Sequence, residues 1–252
     1  MSATVYRRAF FEDGRAGSRR AARVIVPLVL DFIRPTSVVD VGCGTGSWLA
    51  VLREFGVSEA VGLDGDYVDR RLLEIPKDQF IPVDLSMPFR LGRTFDLAVC
   101  VEVAEHLPPS AAEGFVRSLT QLAPVLLFSA AIPFQGGTNH LNEQWPDYWA
   151  SLFRLHDFLP IDCIRSRIWN HKDVDYWYVQ NPLFFASTTL IHSDPVLRRE
   201  YERTNLQQLS IVHPRQYLET PGVREAAGLL VRSLRRAARK RMPRLFRSGN
   251  NA

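Results

Sequence analysis

A chain of 252 residues with 46% hydrophobic side chains can fill the core of one large α/β domain with appendages, and two full domains are not expected. The net charge of +4 is local, because the segment RSLRRAARKRMPRLFR, Arg232 to Arg247, holds eight Arg or Lys and no acid. The three cysteines, Cys43, Cys100 and Cys163, lie far apart with no CxxC pair, which argues against a structural zinc and suits a reducing cytoplasm.

The first apolar run, VIVPLVLDFI, follows an arginine-rich stretch. It contains Pro27 and Asp31, ends at RPTS without a small-residue cleavage pattern, and is far short of the ~20 residues a membrane span requires. The expectation is an amphipathic helix that covers a sheet in a cytoplasmic protein. From Ser37 onward short β-rich runs alternate with helical ones, the pattern of a mostly parallel sheet wound on both faces. The predicted strands are SVVDVG, EAVGLD, FIPVDL, FDLAVCVE, APVLLFSAA, IDCIRSRIW and YWYVQNPLFFAS, and the predicted helices are SWLAVLREF, YVDRRLLEI, SAAEGFVRSLTQL and PDYWASLFRLHDF. Pro108 and Pro109 mark one helix start and Pro146 another. Past Ser187 the chain is polar and mixed, with a basic helix expected over Pro221 to Arg241. Residues 1–190 are thus read as the main domain and 191–252 as an extension.

Asp40-Val41-Gly42-Cys43-Gly44-Thr45-Gly46 closes a strand and opens a helix, so its glycines let a ligand approach the backbone at the carboxyl edge of the sheet. The spacing is GxGxG, with Ser47 where a dinucleotide fingerprint needs its third glycine, and this disfavours a nicotinamide dehydrogenase. Asp64, about 20 residues on at the end of the next strand, is placed to accept from a ribose. Asp84, after the third strand, can accept from an exocyclic amine.

These residues resemble the S-adenosylmethionine-dependent methyltransferases with a seven-stranded Rossmann-like fold, over roughly Val38 to Ser187. The resemblance implies S-adenosyl-L-methionine as cofactor and one antiparallel strand, for which YWYVQNPLFFAS is the candidate. It implies that Gly42, Gly44 and Gly46 line the methionine portion, that Asp40 shapes the loop and approaches the ammonium group, that Asp64 holds the ribose, and that Asp84 with the Leu85 backbone meets adenine. VEVAEHL is similar to the family's fourth motif, where Glu102 flanks the cofactor.

Methyl transfer from a sulfonium needs positioning above all, and a hydroxyl acceptor also benefits from a base. Two histidines fall near the predicted carboxyl edge. His106 follows the fourth strand and either braces the turn or acts as base. His140, in GGTNHLNEQWPDYW after the fifth, is favoured, since many small-molecule O-methyltransferases that the chain resembles carry their base there, and Glu143 is close enough in sequence to orient it. A cap network at the helix start is the competing reading of that loop. Trp145, Tyr148 and Trp149 offer an aromatic wall, although Trp149, Leu152 and Phe153 also lie at core spacing. Gln180 and Asn181, inside an apolar run, either anchor the 136–149 loop or face the substrate. The acids form no trustworthy metal-ligand spacing, so no metal ligand is assigned from the sequence, which leaves open whether a divalent metal helps orient a diol.

NHLNEQWPDYW together with WYVQN also resembles methyltransferase-domain proteins of bacterial surface-glycan or specialised-metabolite pathways, which implies a hydroxylated, sugar-like acceptor. The basic tail suits an acidic membrane surface at the inner face, a polyanion such as RNA, or plain solvent. Two alternatives stand beside the O-methyltransferase reading: an RNA or protein methyltransferase that docks through the tail, and a cofactor-binding protein without catalysis.

Overall fold

The computed structural model describes residues 8–218, together with Gly228, Val231 and Leu234. The basic helix expected over Pro221 to Arg241 lies outside the described residues apart from those three. The chain divides into two compact units, one ending at His213 and the next beginning at Pro214. The sheet and the helices packed on it lie in the first.

Among the described residues one sheet of seven strands has the order β3-β2-β1-β4-β5-β7-β6. The strands are β1 (Ser37–Val41), β2 (Glu59–Asp64), β3 (Phe80–Pro82), β4 (Leu97–Val101), β5 (Val125–Ser129), β6 (Phe158–Ile161) and β7 (Leu183–Ser187). β7 alone runs antiparallel to its neighbours β5 and β6; the other pairings are parallel. The fold is the Rossmann-like α/β arrangement that the sequence implies. β1, β4 and β5 are buried almost throughout, which is why they read as unbroken apolar runs rather than as alternating ones.

Helices α1 (Arg8–Phe32) and α2 (Ser47–Glu54) contribute Ile25, Val26, Val29, Leu49 and Leu52 to the core on one face of the sheet. On the other face, α3 (Ala112–Thr120) and α4 (Pro146–Arg154) bring Phe115, Leu119, Trp149 and Phe153 against Phe128 and Phe185. The Phe153 and Phe185 rings are stacked with centroids 4.0 Å apart. Beyond β7, α7 (Thr188–Ser193) and α8 (Pro195–Arg203) complete the unit. Among the described residues no helix is long and apolar enough to cross a membrane.

A clasp at the amino-terminal helix holds the loop that follows β2. Arg15 and Arg19 of α1 both pair with Glu74, whose side chain is only 4% exposed. Ser47, at the start of α2, donates to the same carboxylate. Arg19 also pairs with Glu54 at the far end of α2.

Three predicted elements are corrected. YVDRRLLEI is a string of turns: Val68 and Ile75 are buried, but the chain between them folds back through hydrogen bonds within three residues instead of winding on. IDCIRSRIW yields only the last residue of β6 and then a short helix, α5 (Arg165–Ile168). There the guanidinium of Arg165 turns inward to Asp162 and to the carbonyls of Gln180 and Leu209, a tether that an extended strand would not allow. YWYVQNPLFFAS begins as a helix, α6 (Tyr176–Gln180), and becomes strand only at Leu183. Pro182 follows the capping Asn181, where it cannot continue the hydrogen-bond ladder.

Candidate active site

The parallel strands deliver their chemistry at one edge. β1 ends in the glycine loop, β2 in Asp64, β3 in the segment to Leu85, β4 in Glu102 to Leu107, and β5 in the long loop to Trp145. At Gly42 the backbone takes φ +80°, and an added Cβ would lie 2.3 Å from Val103 Cγ2. Only glycine lets the loop turn and pack there.

Asp40 is 2% exposed, and its Oδ2 has no hydrogen-bond partner. Burial, with the nearby charge of Asp64 adding to it, pushes its pKa up to about 8. Asp64 is also buried, and burial raises its pKa too, but its oxygens are engaged. Oδ2 accepts from the Gly44 amide at 2.8 Å, while Oδ1 accepts from the Gly65 amide and the Tyr67 hydroxyl, each at 2.6 Å. Tyr67 therefore holds the position that the sequence reading gives to a ribose hydroxyl. It carries no motif, and only its place three residues after Asp64 could have flagged it. A cavity of about 470 Å³ lies beside it, lined by Gly65, Asp66, Tyr67 and Pro82 to Leu85. Asp84 faces this cavity, its carboxyl kept low by the Ser86 hydroxyl and amide.

Glu102 sits deeper. Its backbone is left-handed at φ +57°, and its carboxylate takes three donors: Ser129 Oγ at 2.7 Å, Asn181 Nδ2 at 2.9 Å and Gln135 Nε2 at 3.0 Å. Asn181 also donates to Gln135 Oε1 at 2.9 Å and accepts from Gln180. The two amides thus anchor the root of the 136–149 loop from below, the first of the two sequence alternatives. Buried polar groups of this kind must be matched in full, and here they are. Neither Gln135 nor Ser129 stood out in the sequence.

The loop after β5 returns over the short turn Ala104–His106. The amides of Leu141 and Asn142 donate to the Glu105 carbonyl at 2.8 and 3.0 Å, so His140 arrives beside His106, with ring centroids 4.9 Å apart and edge to face. His140 Nδ1 lies 3.1 Å from Glu143 Oε1. Glu143 in turn accepts from the amides of Phe134 at 3.0 Å and Gly136 at 2.8 Å. Burial would raise its pKa, but the His140 contact and these two amides outweigh that and hold it low. His106 is lowered to about 4 by burial and by His140, while its hydrogen bonds to the backbone at Asn139 and Thr138 work the other way.

Glu105 is 1% exposed and its Oε2 has no partner. Burial first, then the charge of Glu102, drives its carboxyl well above the usual range. Glu105, His106 and His140 each present a ligand atom within 4.8 Å of the others. The sequence suggested no such cluster, because His140 is remote from the other two until the loop folds back. Of the expected aromatic wall, Trp149 and Phe153 belong to the core, whereas Trp145 is exposed and Tyr148 is partly so.

Residues 12–167 match the family described as Methyltransferase domain. Among solved structures the chain is similar to a candidate O-methyltransferase from Nostoc punctiforme PCC 73102, at 14% identity and TM-score 0.50, over 70% of this chain and 58% of that one. It is also similar to the methyltransferase in complex with the Trm112 activator of Haloferax volcanii, at 16% identity and TM-score 0.51, over 71% of this chain and 96% of that one. A third similarity is to magnesium protoporphyrin IX methyltransferase from Synechocystis PCC 6803 with bound SAH, at 19% identity and TM-score 0.47, over 69% and 84% of the two chains. At these identities the likeness is one of fold, and the chain spans little more than half the length of the Nostoc protein. No curated protein matches the sequence.

Proposed function

The chain belongs to the methyltransferase-domain family, and on that footing we propose that it O-methylates a hydroxylated small molecule, a sugar, glycan or related metabolite, at the site between the glycine loop and the 136–149 loop. S-adenosyl-L-methionine is the expected cofactor, and two features of the protein fit it: the orphaned Oδ2 of Asp40 suits an ammonium group, and the cavity from Gly65 to Leu85 suits an adenosine. Bound, it supplies an electrophilic methyl whose bond to sulfur breaks with the electron pair remaining on sulfur.

The residues supply the rest. Asp40 and the glycine loop hold the amino-acid end, Asp64 the ribose once Tyr67 gives way, and Asp84 with Leu85 the base. Glu102 acts through the protein, locking Gln135 and Asn181 beneath the acceptor loop. The observation that carries the O-methylation reading is the His140 and Glu143 pair, 3.1 Å apart. With Nδ1 turned to the carboxylate, Nε2 is the nitrogen that receives the acceptor proton whenever it holds nothing else. His106, partly buried beside it, positions the ring, and Trp145 borders the acceptor.

Calorimetric titration with S-adenosylhomocysteine, with NAD as control, tests the cofactor; sugar acceptors and labelled methyl donor then test the transfer. Binding of the former alone is expected. Binding of NAD instead, or methylation undiminished by His140→Ala, would remove the corresponding part of the proposal.

A further inference from the structure

We infer that Glu105, His106 and His140 form a binding site for one divalent transition-metal ion. Their ligand atoms lie within 4.8 Å of one another. Nitrogen and oxygen ligands at about 2.0–2.2 Å from a common ion can be no more than about 4.4 Å apart, so small side-chain adjustments close the set around a single ion.

Each residue brings an independent sign of that role. Glu105 is enclosed by protein, yet its Oε2 faces no donor; a buried carboxylate oxygen in that position is normally paired or bound to metal. His140 turns Nδ1 to Glu143, which is in turn gripped by two backbone amides. This is the carboxylate–histidine pairing that fixes the tautomer and raises the basicity of the ligating nitrogen, here Nε2. Space is kept for that nitrogen at Gly137, where a Cβ would lie 2.3 Å from it. His106 is oriented by the backbone at Thr138 and Asn139 and set edge to face with His140. The two hydrogen bonds from the 141–142 amides to the Glu105 carbonyl fix the loop to the turn, so the set is assembled before any ion arrives.

The donor set selects the metal. Two imidazoles and one carboxylate suit Mn²⁺, Fe²⁺, Co²⁺, Ni²⁺ or Zn²⁺ rather than Mg²⁺ or Ca²⁺, which prefer oxygen alone. Glu102 is no ligand, since Ser129, Asn181 and Gln135 fill its oxygens, but its charge favours a cation nearby. Three protein ligands leave positions open. On the functional reading above, those positions receive two neighbouring oxygens of the acceptor, a vicinal diol or a hydroxyl beside a carbonyl. The coordinated hydroxyl gives its proton to water, and the oxygen's lone pair attacks the methyl. Nε2 of His140 then holds the ion and takes up no proton.

The test is titration of the full chain, stripped with chelator, with Co²⁺, followed by calorimetry and by visible absorption. One ion per chain is expected. Glu105→Gln and His140→Ala should each weaken it by roughly 100-fold or more, while S-adenosylhomocysteine binds both variants as it binds the parent, which also shows that they are folded. No uptake by the parent, or equal uptake by both variants, overturns the site. The two readings fail separately: Co²⁺ binding without S-adenosylhomocysteine binding would sink the cofactor and not the ion, and full methyl transfer by the stripped protein would sink the role of the ion in the reaction.

Discussion

Asp40 gives the sharpest expectation, because its proton and the cofactor's ammonium group compete for one oxygen. With a pKa pushed up to about 8, the carboxyl of the free protein is roughly 90% protonated at pH 7. An ammonium docking on Oδ2 favours the ionised form and expels that proton. Titration with S-adenosylhomocysteine in buffers of low and high ionisation enthalpy should therefore show about 0.9 proton released per site at pH 7, and affinity should rise about tenfold between pH 6 and pH 7. Asp40→Asn should abolish both signals. Without ligand, the folded pKa lies above the ordinary 3.8, so the folded state holds a proton that the unfolded chain gives up. The stability contribution of Asp40 is complete below that ordinary value and falls by about 1.4 kcal/mol per pH unit until the folded pKa is passed. Asp40→Asn should flatten that slope in denaturant melts. Heat that does not depend on the buffer at pH 7, in the parent protein, would refute the placement of the ammonium on Asp40.

Three other outcomes are expected. Gly137→Ala places a methyl against His140 Nε2 at a backbone φ of +146°, so turnover should fall by roughly 100-fold with cofactor affinity kept; unchanged turnover would separate His140 from the chemistry. Asn181→Ala removes one of the donors to the buried Glu102 carboxylate and should cost about 1–3 kcal/mol in urea unfolding. Trp149→Ala, in a position 2% exposed and packed on Phe128, should cost about 3–5 kcal/mol, whereas Trp145→Ala, at the exposed start of the same helix, should alter acceptor KM and leave the melting temperature nearly in place.

Legibility followed locality. β1, β2, β4 and β5 could be read because each is a largely buried, mostly apolar run with Gly42, Asp64, Glu102 or Ser129 at or just past its end, and the glycine loop because its geometry is set by neighbouring residues. The helix predicted at YVDRRLLEI failed because its apolar spacing serves a loop: Ile75 packs over Gly46, and an added Cβ there would meet it at 3.1 Å. The far edge of the sheet was misread because Arg165, charged and placed in an apolar stretch, finds its partners at Gln180 and Leu209. Within the site, the nearness of His140 and Glu143 was legible from their separation of three residues. Tyr67 was as near to Asp64 in sequence but carried no motif to mark it, and the meeting of His140 with Glu105 and His106 depends on a loop path that no local pattern encodes.

The clasp on Glu74 bears on how the chain reaches this state. Helix α1 carries Arg15 and Arg19, but their carboxylate partner is made some sixty residues later. The loop beside the glycine turn therefore waits on a segment already synthesised and not yet docked. A fragment beginning at Ser37 would retain every strand and the acids at their ends, yet strip Glu74 of both arginines, leave it Ser47 and Thr45 as partners, and uncover the sheet face that Ile25, Val26 and Val29 cover. Such a fragment should be far less stable than the full chain and hold the loop beside the glycine turn loosely, so the amino-terminal helix is part of what shapes that loop and not an ornament upon it.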